Sequence, residues 1–178
     1  MGAILELLLN KFFNSSRYHI IIIGPASSGK RTFLSKLGLN DHNFNNGIIA
    51  YNTNTLLPAD LTITSFVYTS TFQLSRVLED RINEVTGIIY MLDSTNVSRL
   101  KVTKLELKNI INIPALENSP ILVLCNKQDL PTAKSVREIE MVIKFEPENK
   151  KWNIQGMSAA SDDGVFEAIE WISRAMIN

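Results

Sequence analysis

Gly24, Gly29 and Lys30 stand at the spacing of a phosphate-binding loop. The stretch Gly-Pro-Ala-Ser-Ser-Gly-Lys-Arg-Thr at 24–32 runs as Gly, four residues of any type, then Gly-Lys. Such a loop turns backbone N–H groups and a helix N-terminus toward an anion. Gly24 and Gly29 let the backbone approach the phosphates, Ser27 and Ser28 lie within the cradle, and Lys30 adds a point charge. The next position calls for Ser or Thr, whose hydroxyl is a ligand of the Mg²⁺ that bridges two phosphates. Arg31 occupies it, with Thr32 one residue on. The loop keeps the means to hold a phosphate tail and loses a means to hold the metal. Arg31 has two readings: an outward surface side chain, or a guanidinium turned to the β-phosphate in partial place of the metal's charge.

The elements that must position this loop are legible around it. The apolar run at Tyr18–Ile23 reads as a buried parallel strand and Lys30–Leu37 as the helix that follows. Further strands are expected at Leu61–Tyr68, Thr86–Leu92, Ile121–Cys125 and Trp152–Ser158, with a weaker one at Ile48–Asn52. Helices are expected at Gln73–Asn83, Ser98–Ile113, Ser135–Val142 and Val165–Met176. The last carries Val165, Ala168, Ile169, Ile172 and Met176 at helical spacing. The alternation predicts an α/β fold with a mostly parallel, six-stranded sheet and helices on both faces. Ligands of such sheets lie outside the carboxyl ends of the strands, which directs attention to the loops there. Asn126-Lys127-Gln128-Asp129 follows one strand, and Ser158-Ala159-Ala160 follows another.

In this order, after a phosphate loop, the two segments are similar to the guanine-reading elements of small GTPases. Met1-Gly2, the apolar first thirteen residues, Asn-Lys-Gln-Asp-Leu-Pro at 126–131 and Trp-Asn-Ile-Gln-Gly-Met-Ser-Ala at 152–159 carry a closer likeness. So do Asp162-Asp163-Gly164 and Trp171. Over essentially its whole length the chain resembles an ADP-ribosylation-factor-like (Arf/Arl) small GTPase. The resemblance implies the P-loop small-GTPase fold, with a guanine-nucleotide-binding domain at 17–178 and an amphipathic helix at 1–16. It also implies GTP or GDP as the bound cofactor. Asp129 would accept from the guanine N1–H and 2-amino group, an arrangement adenine does not offer. Asn126 would brace the phosphate loop, the Lys127 stem would lie on the base, Ser158 and the Ala159 N–H would complete the base site, and Thr32 would reach the α-phosphate.

Three positions depart from the family pattern, all on the metal and γ-phosphate side. Arg31 replaces the metal-binding Thr. The first switch aligns on 47–52 and places Ile48 where the family has a Thr. The family's Trp-Asp-x-Gly-Gly-Gln aligns on 66–71, so that Val67, Ser70 and Thr71 stand for the Asp, a Gly and the Gln that orients the attacking water. Gln73, Thr53 and Thr55 are the residues nearby that would serve in re-routed switches. No catalytic residue is assigned and Mg²⁺ is doubtful, which leaves enzymatic activity an open question.

Lys+Arg and Asp+Glu each number 18 in this 178-residue chain, a balance that offers no global field to nucleic acid. Cys125 lies alone in an apolar run, as a buried, inert thiol would. His19 and His42 form no ligand set. No run approaches 18 apolar residues, and the first residues lack a secretory pattern, so a cytoplasmic protein is expected. Gly2 offers a myristoylation site, although Glu6 stands where the consensus has Ser or Thr. Ile4, Leu5, Leu8, Leu9 and Phe12 share one helical face, which either docks on the domain or associates peripherally with an intracellular membrane. The reading that follows is a guanine-nucleotide-binding, hydrolysis-deficient Arf-like protein that acts on effector or regulatory partners in membrane trafficking. A conventional Arf-like GTPase switch and a nucleotide-free scaffold are the alternatives.

Overall fold

Every side chain from His19 to Ile23 is buried because the strand they form, β1 (Tyr18–Ile23), has neighbours on both edges and helices on both faces. The computed structural model describes residues 18–38, 44–45, 48–52, 61–66, 82–148 and 150–177. Among these the strands are β1, β2 (Phe44–Asn45), β3 (Ile48–Asn52), β4 (Leu61–Phe66), β5 (Gly87–Asp93), β6 (Ile121–Asn126) and β7 (Trp152–Gly156). They make one sheet in the order β2-β3-β4-β1-β5-β6-β7. Among the described residues the sheet has seven strands where six were expected, because Phe44 and Asn45 pair antiparallel with Ile49 and Ile48 at the edge. β3 also runs antiparallel to β4, whereas every pair from β4 through β1, β5 and β6 to β7 is parallel.

The helices are α1 (Lys30–Lys36), α2 (Val97–Ile111), α3 (Val136–Ile143) and α4 (Val165–Ile177). Strand alternation sorts the core into two layers. Ile20, Ile22, Ile89 and Leu122 point to the face covered by α1 and α4, while Ile21, Ile23, Ile88 and Val123 point to the face covered by α2 and α3. The loop after β1 leads to one face and the loop after β5 to the other, so the carboxyl ends of these two neighbours form the switch point of the sheet.

Some boundaries differ from expectation for local reasons. Helix α2 stops at Ile111 because Pro114 disfavours helical backbone at Ile113, which is extended at ψ 113°. Ile82–Glu84 is a short 3₁₀ turn. Glu106 on α2 turns inward, where the Tyr90 hydroxyl donates to it and Arg99 pairs with it at 2.5 Å. The Cys125 thiol is fully buried, which pushes its pKa up to about 12 and leaves it inert as expected. Residues 1–17, with Gly2, Glu6 and the predicted N-terminal helix, lie outside the described residues. So do His42, Thr53, Thr55, most of the predicted 73–83 helix with Gln73, and the aligned Val67, Ser70 and Thr71.

Candidate nucleotide-binding site

Two glycines let the phosphate loop fold where it does. A Cβ on Gly24 would lie 2.0 Å from the Met91 carbonyl oxygen of β5, and one on Gly29 would lie 2.0 Å from Asn126 Nδ2. Gly29 also has φ 99°, in the left-handed region that favours glycine, and Ser27 takes φ 61° beside it. The loop thus lies against the ends of β5 and β6 with no room for a side chain between. Lys30 opens α1 and is only 6% exposed. Its ammonium donates to Gly24 O at 3.0 Å, Pro25 O at 2.7 Å and Ser28 Oγ at 3.1 Å. Burial lowers its pKa from 10.5 to about 8. Ser28 is fully buried, while Ser27, Arg31 and Thr32 are exposed.

Asn126, the last residue of β6 and 3% exposed, joins this loop to the one after β7. Its Nδ2 donates to Ser28 O at 2.7 Å, and its Oδ1 accepts from the Ala159 N–H at 2.9 Å. Both halves of one carboxamide are satisfied by two different loops, so neither loop can move without leaving a buried polar group unpaired. The Ala159 N–H, expected to face a purine oxygen, is thereby already engaged by Asn126. Asp129 is exposed, and its Oδ1 accepts from the Ser158 hydroxyl at 2.6 Å. Ser158 is 1% exposed and also accepts from the Ser161 N–H at 3.1 Å, so it stands behind Asp129 and fixes the carboxylate's direction. Lys127 sits at φ 69° with its ammonium on Asp93 Oδ2. Partial burial raises the Asp93 carboxyl, but the Lys127 ammonium and the Thr95 hydroxyl and N–H outweigh it and hold the pKa below the usual range.

The geometry brings Gly24, Ser27, Ser28, Gly29, Lys30, Arg31 and Thr32 together with Asn126, Lys127, Asp129, Ser158 and Ala159 at one end of the sheet. Sequence reasoning missed Asp93, Ser94 and the role of Gln128. Gln128 Nε2 donates to Ser94 Oγ at 2.8 Å and Lys134 O at 2.9 Å, and its Cγ fills the space beside Gly156 that a Cβ would occupy. The signal was available, since Asp93-Ser94-Thr95 also follows a strand at its carboxyl end. The groups suit a nucleotide: an anion loop with a buried cation, and an exposed carboxylate held rigid at a distance from it. At the position beside Lys30 where the loop would carry a hydroxyl oxygen for a divalent cation, the chain has Arg31. No cluster of three or more His, Cys, Asp or Glu suited to a metal occurs among the described residues.

Comparison with known proteins gives the arrangement its context. Residues 4–176 match the model of the ADP-ribosylation factor family. The chain is 29% identical over 179 residues to ADP-ribosylation factor K of Dictyostelium discoideum, an alignment that covers 100% of this chain and 95% of that protein.

Proposed function

The chain belongs to the ADP-ribosylation factor family, and from that premise we propose that it is a guanine-nucleotide-binding protein deficient in hydrolysis, which works by engaging partner proteins in membrane trafficking or organisation. The observation that carries the reading is the Asn126 carboxamide, bonded at once to the phosphate loop and to the Ser158–Ala159 loop. That tie holds the two halves of a nucleotide site at a fixed separation. Asp129, directed by Ser158, accepts from the guanine N1–H and 2-amino group. The Lys127 stem covers the base, and the Ala159 N–H is shared between Asn126 and the purine O6. Lys30 and the loop N–H groups hold the diphosphate, with Thr32 at the α-phosphate.

Support for the deficiency is chemical. Phosphoryl transfer depends on positioned charge, and the residues that would supply it are Arg31, Ile48, Val67, Ser70 and Thr71, none of them the type the family uses there. The domain at 17–178 carries the nucleotide. The segment at 1–16, with an acylated Gly2, forms the amphipathic contact with a membrane; one acyl chain binds only reversibly and needs the apolar face as a second signal.

Two measurements test this. Nucleotide released from denatured protein and separated by chromatography is expected to be GDP or GTP. Single-turnover GTP hydrolysis is expected to be negligible and equal with Mg²⁺ and with EDTA. A protein that is always empty and ignores added GDP defeats the binding half, and Mg²⁺-dependent turnover defeats the other.

A further inference from the structure

Lys36 closes the last turn of α1, the helix that the phosphate loop opens, and its side chain crosses to the loop that follows β7. Its ammonium lies 2.8 Å from Asp162 Oδ1 and donates to the Ala160 carbonyl at 3.3 Å. Asp162 is a non-glycine residue at φ 73°, a left-handed conformation that costs an ordinary side chain free energy. The Oδ1 atom is covered from solvent and accepts no hydrogen bond, so the ammonium is the charge that compensates it. The ion pair thus involves a left-handed turn residue whose carboxylate oxygen is shielded from solvent. The pair joins the two segments that Asn126 also joins, at the far end of α1.

We infer that Lys36 and Asp162 form an outer latch on the nucleotide site, positioning residues that hold the helix of the phosphate loop to the base-contacting loop and so set the rate of nucleotide release. The inference rests on the nucleotide-binding reading above. The inner tie through Asn126 sets the separation of the two loops, and the latch restrains their opening. Release of a nucleotide that touches both loops needs them to part, and parting them first breaks the ion pair. Both side chains are about one-third exposed (31% and 36%), so the latch is screened by salt.

The test is the dissociation rate of mant-GDP from the full chain. Lys36→Met and Asp162→Gly are each expected to speed release roughly two- to five-fold, and the double variant no more than either alone. Lys36→Arg keeps the charge and is expected to stay near the unsubstituted rate. Raising ionic strength from about 0.01 M to about 1 M shortens the Debye length from ~30 Å to ~3 Å. That change should speed release from the unsubstituted protein more than from Asp162→Gly, in which only the salt dependence of the phosphate contacts remains. Asp162→Gly separates the latch from folding, because glycine relieves the φ 73° strain and the thermal midpoint should hold or rise. Unsubstituted release rates in Asp162→Gly and Lys36→Met overturn the latch while nucleotide binding stands. An unsubstituted chain that takes up no mant-GDP overturns both.

Discussion

Lys30 holds its ammonium in a nearly solvent-free position against three oxygens of its own loop, two carbonyls and one hydroxyl. Those neutral acceptors do not fully replace water, so burial brings the pKa down to about 8. A phosphate oxygen supplies the missing negative charge and returns the pKa toward its ordinary range, so binding near pH 8 must take up a proton. Calorimetric titration with GDP at pH 8, in buffers of different ionisation enthalpy, is expected to show that uptake, and the same titration at pH 6 should not. The sign for folding follows from the same shift. The folded pKa of about 8 lies below the unfolded value of 10.5, so between them the unfolded chain binds more protons and stability rises with pH. A thermal midpoint of the free protein that climbs from pH 8 toward pH 10 relative to Lys30→Met would bear this out. A flat difference would show the ammonium to be solvated.

The elements matter to the site through their ends. Helix α3 begins with a capping box in which the Ser135 hydroxyl accepts from the Glu138 N–H and Glu138 accepts from the Ser135 N–H. The Lys134 ammonium and the Ser135 groups hold the Glu138 carboxyl down at about 2. Lys134 belongs to both structures, since its carbonyl receives Gln128 and its N–H donates to Ser94 O. The start of α3 is therefore anchored to the loop that carries Asp129. Ser135→Ala removes one end of the box and is expected to lower the midpoint by roughly 2–4 °C. Nucleotide affinity should change little, because the Gln128 bonds run through the Lys134 backbone rather than the cap. An affinity loss as large as the stability loss would mean that the cap itself positions Asp129.

At the scale of the molecule, a ligand that bridges the loops after β1, β6 and β7 binds only the folded chain. GDP at about 100 times its Kd should add about 2.7 kcal/mol of stability. The prediction particular to this chain is that EDTA leaves the gain unchanged, since Arg31 stands where the loop would offer a divalent ion its hydroxyl oxygen. Differential scanning calorimetry with GDP, with and without EDTA, checks it. A gain that EDTA abolishes would place a metal in the site after all. No helix among the described residues is long and apolar enough to cross a membrane.

What the residues alone determined was local in period or motif. The apolar runs at Tyr18–Ile23 and Ile121–Cys125, the stripe from Val165 to Met176, and the Gly-Lys and Asn-Lys-Gln-Asp spacings all declare themselves within a few positions of chain. Nearest-neighbour sterics and side-chain alternation fix them. The two-residue edge strand at Phe44–Asn45 did not show, because so short a pair has no period of its own and exists only where β3 offers it hydrogen bonds. Likewise Lys36 and Asp162 are 126 positions apart, and Asn126 and Ser28 are 98 apart. Only the parallel sheet, by lining up the carboxyl ends of β1, β5, β6 and β7, decides that one carboxamide spans two loops and that a lysine at the end of one helix meets a strained aspartate. Motifs name the chemistry because it is written in adjacent residues, and the fold alone sets the couplings between them because they act across space.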